Sequence, residues 1–163
     1  MILRLLMIRH AEAVDPALTQ GIDGERYLTE TGIAQSRAVA GFLAKHHLIP
    51  SYVGSSPLVR AVQTADILAS TWGIEGPHRV VLPTLDLNGD NKEMAGEIST
   101  SVQESAALVG HEPTISRFVA WLIGNAGVRI HYKKAAIALL DCQLPLQKGC
   151  GKLRMLLPPE FLE

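Results

Sequence analysis

The sequence predicts an α/β fold, a three-layer sandwich with a mostly parallel central sheet, helices on both faces and an antiparallel C-terminal part. Three observations predict it. First, Ile2-Leu3-Arg4-Leu5-Leu6-Met7-Ile8 is almost wholly apolar, as expected of a strand covered on both faces. Second, short apolar runs alternate along the chain with longer stretches of helical periodicity. Third, three apolar runs stop abruptly at polar groups of one chemical kind. The first runs into Arg9-His10. Ser51-Tyr52-Val53-Gly54 runs into Ser55-Ser56-Pro57-Leu58-Val59-Arg60, and Ala106-Ala107-Leu108-Val109-Gly110 runs into His111-Glu112-Pro113. The carboxyl edge of an open α/β sheet is where ligands bind, so these three strand ends are expected to share a site.

The elements follow in order. After the first strand comes a polar loop through Asp15, Pro16, Gly21 and Gly24. Thr29 is a good N-cap for a helix with Ala34, Ala38, Val39, Phe42 and Leu43 on its apolar face, fading at His46-His47 before Pro50. A brief strand around Tyr52-Val53 precedes Ser56, which is expected to cap a helix whose first residue is Pro57. Leu58, Val62, Ala65, Ala69 and Trp72 form its inward stripe, with Arg60, Gln63 and Thr64 off that stripe; Gly73 and Gly76-Pro77 end it. Arg79–Leu82 is a third strand, Pro83 to Asn91 a loop, and Lys92–Ile98 a short helix. Ser105–Val109 is the fourth strand. Pro113 opens a helix that turns Ile115, Phe118, Val119 and Leu122 inward and closes before Gly124. Lys134–Asp141 and Lys152–Leu157 read as two antiparallel strands joined by a turn near Gly149–Gly151.

Bulk properties narrow the function. The chain has 163 residues, expected to form a single domain over 1–163. Its formal net charge is −1 and it carries no Lys/Arg cluster, so neither nucleic acid nor a membrane surface is an expected partner. Cys142 and Cys150 are expected to be reduced thiols rather than a disulfide scaffold. Ala11-Glu12-Ala13 imitates a signal-peptidase site, but the run before it is short, contains Arg4 and lacks a basic region. A cytoplasmic location is expected.

Two Arg and two His at strand ends suit a phosphoryl group, whose chemistry requires positioning, charge stabilisation and a nucleophile. Arg9 and Arg60 each offer a fork of donors to phosphate oxygens. Helix N-termini after Ser56 and near Pro113 would add backbone N–H groups. His10 is the expected nucleophile. It must be neutral, with its other ring nitrogen donating to a backbone carbonyl near the start of the loop. His111 would bind a phosphoryl oxygen. Because the protein supplies the cations, no metal or other cofactor is expected. Phosphate or sulfate would fit the pocket.

Arg9-His10-Ala11-Glu12-Ala13, Leu28-Thr29-Glu30-Thr31-Gly32, Ser55-Ser56-Pro57-Leu58-Val59-Arg60-Ala61-Val62-Gln63-Thr64-Ala65 and Gly110-His111-Glu112-Pro113 occur in that order. Nearly the whole chain thereby resembles the histidine phosphatase, or phosphoglycerate-mutase-like, superfamily, and within it the small SixA-type phosphohistidine phosphatases. The resemblance implies a phosphorylated His10, with Arg9, Arg60 and His111 completing the phosphate pocket. Ser56, Glu12 and Glu112 are candidate substrate-binding residues beside them. The chain departs from the family at Ala11, where Gly is usual. Ala is the smallest replacement, and a tolerated change is expected.

Mutase-like and small-molecule members of the family are expected to use an acidic proton donor on the loop after the third strand. Asp86, Asp90 and Glu93 fall in that region, as solvated loop acids or as that donor. Glu12 and Asp15 are further acids close to the site in sequence. The resemblance implies phosphohistidine on a signalling or phosphotransfer protein as substrate, since its labile phosphoramidate nitrogen can take a proton from solvent. A small phosphomonoester is the alternative substrate. A non-catalytic phosphate-binding or interaction module is the alternative of another class, with Ala11 as its sequence hint.

Overall fold

The structure is a computed structural model and describes residues 1–162. Among these residues, six strands form one sheet. They are β1 (Ile2–Arg9), β2 (Tyr52–Ser55), β3 (Arg79–Val81), β4 (Ser105–Gly110), β5 (Ile137–Gln143) and β6 (Gly151–Leu157). The helices are α1 (Glu30–Lys45), α2 (Val59–Trp72), α3 (Asn91–Ser101) and α4 (Thr114–Leu122). The strand order is β3-β2-β4-β1-β5-β6. The first four strands run parallel, β5 pairs antiparallel with β1, and β6 pairs antiparallel with β5. The expected architecture is therefore the observed one.

Alternation along β1 divides the core into two layers. Leu3, Leu5 and Met7 face Met94 and Ile98 of α3 and Phe118 and Val119 of α4. Leu6 and Ile8 face Val39 and Leu43 of α1 and Ala61 and Leu68 of α2. Thus α1 and α2 cover one face of the sheet and α3 and α4 the other. The chain leaves β4 towards one face, whereas it leaves both neighbours of β4, β1 and β2, towards the opposite face. That divergence opens a crevice at the carboxyl edge, where ligands bind in this class of sheet. No helix of the described residues is long and apolar enough to cross a membrane.

Several local expectations are corrected. The inward face of α1 is Gly32, Ser36, Val39, Ala40 and Leu43, while Ala34 and Ala38 are exposed. Small residues dominate that face because the loop after β1 lies against it: a Cβ on Gly32 would stand 2.0 Å from the Glu12 carbonyl oxygen. The second helix begins at Val59, not Pro57, and its inward stripe is Arg60, Ala61, Thr64, Ala65, Leu68 and Ala69. Ser56 caps only the preceding turn, accepting from Leu58 N. The helix after β3 runs from Asn91 to Ser101, longer than expected. The first C-terminal strand begins at Ile137 because Lys134 and Ala135 are still in a turn, Ala135 with a φ of 61°.

Candidate active site

Four polar side chains converge where β1, β2 and β4 end, and all four are the expected ones. β1 delivers Arg9 and His10, β4 delivers His111, and β2 leads through Ser56 into the first turn of α2, which carries Arg60. Adjacent pairing of β1 with β4 and of β4 with β2 sets their spacing. Arg60 is not a solvated helix residue; it is only 3% exposed, and His10 and His111 are buried as well.

Hydrogen bonds assign the two imidazoles the same Nδ1–H tautomer but engage opposite ring nitrogens. His10 Nδ1 lies 2.7 Å from the Ala11 carbonyl oxygen. A carbonyl only accepts, so Nδ1 carries the hydrogen and Nε2 keeps its lone pair. Arg60 Nε donates to that lone pair across 3.3 Å. At His111 the protein engages Nε2 instead. Its Nε2 lies 2.6 Å from Ser56 Oγ, which already accepts from Leu58 N. The buried Ser56 hydroxyl has no other acceptor among its hydrogen bonds, so it donates to Nε2, and Nδ1 of His111 carries the hydrogen. This Nδ1 is buried without a hydrogen-bond partner among the described residues, as is Nε of Arg9. A buried donor without a partner is costly unless something else satisfies it. Two such donors flanking a nucleophilic lone pair form a cradle for an oxyanion.

The charges of the site follow from burial. Desolvation is the main cause that lowers His10 to about 3; the Ala11 bond opposes it, and His111, Arg60 and Arg9 add to it. Desolvation also leads in lowering His111 to about 4, with Arg60 and Arg9 assisting against Asp86 and Asp23. Both rings are neutral at pH 7. Burial lowers Arg9 too, with Glu112 opposing and Arg60 adding. Arg9 is anchored by Nη1 donating to the Tyr132 carbonyl at 2.8 Å. The Tyr132 hydroxyl in turn donates to the Met7 carbonyl.

The rest of the sequence motif fastens this arrangement. Thr64 Oγ1 accepts from Ala11 N at 3.1 Å and donates to the Arg60 carbonyl. Gln63 Oε1 accepts from Leu28 N, and Gln35 Oε1 accepts from Glu12 N. Ala11 is fully buried, and its φ is not in the left-handed region. The backbone therefore does not require Gly at this position.

Other expected residues lie elsewhere. Glu12 accepts from Thr29 Oγ1, turned towards the start of α1. Glu112 accepts from Ser116 N and Oγ, so it caps α4 while its charge is felt at Arg9. Ile115 N is taken by the His111 carbonyl, and together with Ser116 N it is spent inside the protein rather than offered to a ligand. Asp15 accepts from Ala17 N. Asp90 is the N-cap of α3, accepting from Lys92 N and Glu93 N, and Glu93 is exposed on that first turn. Asp86 stays half-buried on the loop after β3, where its charge reaches His111, but its Oδ1 accepts from Leu87 N at 2.6 Å.

Sequence reasoning missed Asp23. Its Oδ2 accepts from Arg60 Nη2 at 3.0 Å and its carbonyl oxygen accepts from Arg60 Nη1 at 2.8 Å. The visible signal was Asp23 three residues before Arg26, which also donates to it. Pairing with Arg60 across 37 positions leaves no local trace.

The sequence profile of the histidine phosphatase superfamily (branch 1) matches residues 5–82. An uncharacterized protein of Picosynechococcus is 32% identical over 156 residues, covering 93% of this chain and 89% of that protein. Among solved structures, the protein histidine phosphatase SixA complexed with tungstate superposes with a TM-score of 0.82 at 25% identity, covering 98% and 99% of the two chains. A SixA protein of Agrobacterium tumefaciens, named as a phosphohistidine phosphatase, gives a TM-score of 0.77 at 25% identity, covering 96% and 97%.

Proposed function

The chain belongs to the histidine phosphatase superfamily (branch 1), and on that footing we propose that it hydrolyses phosphohistidine on a signalling or phosphotransfer protein through a phospho-His10 intermediate. The incoming phosphoryl oxygens accept from Arg9 Nε–H, His111 Nδ1–H and Arg60 Nε–H. Arg60 thereby gives up its bond to His10 Nε2 and frees the lone pair. The Nε2–P bond forms as the P–N bond to the substrate imidazole breaks, and that imidazole leaves with a proton from solvent. The bond from His10 Nδ1–H to Ala11 strengthens while the phosphorylated ring is cationic. Water then attacks phosphorus, the Nε2–P bond breaks, inorganic phosphate leaves, and the water's surplus proton passes to solvent.

The observation that carries the substrate class is the placement of the acids. Asp90 caps a helix, Glu93 is exposed, and Glu12 and Glu112 are bound to the starts of α1 and α4. A phosphoramidate tolerates such a site because its leaving nitrogen is basic. The test is to incubate the protein with a radiolabelled phosphohistidine-bearing domain beside phosphoglycerate and an aryl phosphate, with His10→Ala as control. Loss of label from the domain that requires His10 is expected. Brisk turnover of the small esters with the domain untouched would overturn the substrate class.

One observation favours a second reading, a small phosphomonoester as substrate. Asp86 lies near enough to His111 to raise its proton affinity, on the loop where an ester's leaving oxygen would need a proton donor.

A further inference from the structure

We infer that Asp23 is a positioning residue, which holds the outer edge of the Arg60 guanidinium so that its Nε–H edge faces the reacting phosphoryl group. The inference rests on Arg60 binding that group, as in the function proposed above. A guanidinium has five N–H donors in a fixed plane, so gripping one edge fixes where the others point. Asp23 grips Nη1 with its carbonyl oxygen and Nη2 with Oδ2. Nε points the other way, at His10 Nε2.

Asp23 is itself held from behind. Arg26 Nη1 donates to its Oδ1 at 3.1 Å, and Arg26 Nε is anchored on the Val14 carbonyl at 2.7 Å. The turn also packs on the start of α2, since a Cβ on Gly24 would stand 3.4 Å from Leu58 Cδ2. Arg26, Asp23, Arg60 and His10 thus form one chain of hydrogen bonds from the loop to the nucleophile. Burial alone would raise the Asp23 carboxyl, but the hydrogen bonds from Arg26 and Arg60 outweigh it and the net shift is downward. The anion therefore persists through the neutral range. It sits beside a site for another anion, and it occupies the Nη edge rather than the Nε edge that faces His10. That geometry distinguishes a brace from a competitor for the phosphate position.

The test reads binding as well as turnover, using inorganic phosphate as the probe and an aryl phosphate as substrate. Asp23→Ala is expected to weaken phosphate binding and to lower kcat/KM, each about tenfold. Asp23→Asn, which keeps an oxygen acceptor, is expected to recover part of both losses. In an Arg60→Ala background, Asp23→Ala should change neither by more than about twofold. Thermal unfolding of each variant identifies any that has lost its fold. Tighter phosphate binding in Asp23→Ala would reveal a competing carboxylate and overturn the inference. So would no change, or an equal loss with and without Arg60. If the wild-type protein binds phosphate through Arg60 but turns over no substrate, the phosphatase reading fails while the bracing result still stands or falls on the binding data.

Discussion

His10 and His111 face each other with ring centroids 5.1 Å apart and planes tilted by 49°. Both rings are neutral, yet they present opposite functions to the space between them. His10 offers a lone pair at Nε2, because Ala11 accepts from its Nδ1. His111 offers an N–H at Nδ1, because Ser56 occupies its Nε2. In the reaction proposed above, the first ring attacks phosphorus and the second binds its oxygen.

His10→Ala removes the attacking atom. Turnover of any phosphoryl substrate is expected to fall by at least about a thousandfold. Acid quenching of the wild-type protein with labelled substrate should leave acid-labile label on the chain, and the variant should carry none.

Ser56→Ala removes the group that fixes the His111 tautomer. Loss of this buried partner is expected to cost about 1–2 kcal/mol in the transition state, or roughly tenfold in kcat/KM. Nitrogen chemical shifts of His111 provide the check: the wild-type ring should be a single Nδ1–H tautomer and the variant a mixture.

The buried imidazoles make the fold acid-sensitive. The unfolded chain binds these protons near the ordinary 6.5, whereas folded His10 and His111 bind them only near about 3 and about 4. Between those values the unfolded state holds more protons, so stability is complete above pH 6.5 and is lost as the pH falls towards 4. Each ring adds a slope approaching about 1.4 kcal/mol per pH unit. Urea denaturation at several pH values should show this slope, and His111→Gln should reduce it by about half. An unaltered slope would count against a neutral, buried His111.

The acids on the loop after β3 separate by substrate. Asp90→Ala should cost about 1 kcal/mol of stability through loss of the α3 cap, and Glu93→Gln should do little. Asp86→Asn is the informative change. It should leave phosphohistidine hydrolysis unaltered, and slow turnover of alkyl phosphates would identify Asp86 as a proton donor to poor leaving groups.

Ala11→Gly tests the departure from the family. Ala11 belongs to the same buried apolar cluster as Leu6, Ile8 and Leu28, and its backbone needs no left-handed conformation. The substitution should cost about 1 kcal/mol of stability and change turnover by less than about threefold. A large gain in rate would show that the methyl crowds the phosphoryl group.

Short-range signals carried most of the fold and the centre of the site. Thr29 was legible as an N-cap because capping depends on residues within one turn, and Thr29 Oγ1 does accept from Gly32 N. The apolar run before Arg9 and the motif around Arg60 located His10 and the two arginines at the carboxyl edge of the sheet. The inward turn of Arg60 and Thr64 was not legible. Helical periodicity marks polar residues as outward, and here a polar ridge faces a buried polar site. Asp90 read as a solvated loop acid or a proton donor, whereas its bonds from Lys92 N and Glu93 N make it a helix cap. Asp23 and Tyr132 were out of reach because their bonds to Arg60 and Arg9 join distant parts of the chain.

His10, His111 and the start of α2 follow directly on three neighbouring strands whose separation is fixed by backbone ladders. Those ladders belong to the interior and are indifferent to whatever surrounds the crevice outside. The surrounding loops are thus free to be exchanged or lengthened to suit a new phosphorylated surface while the reacting atoms keep their spacing. Changing what this scaffold recognises is then a separate evolutionary problem from preserving how it reacts, provided that the turn bracing Arg60 is retained.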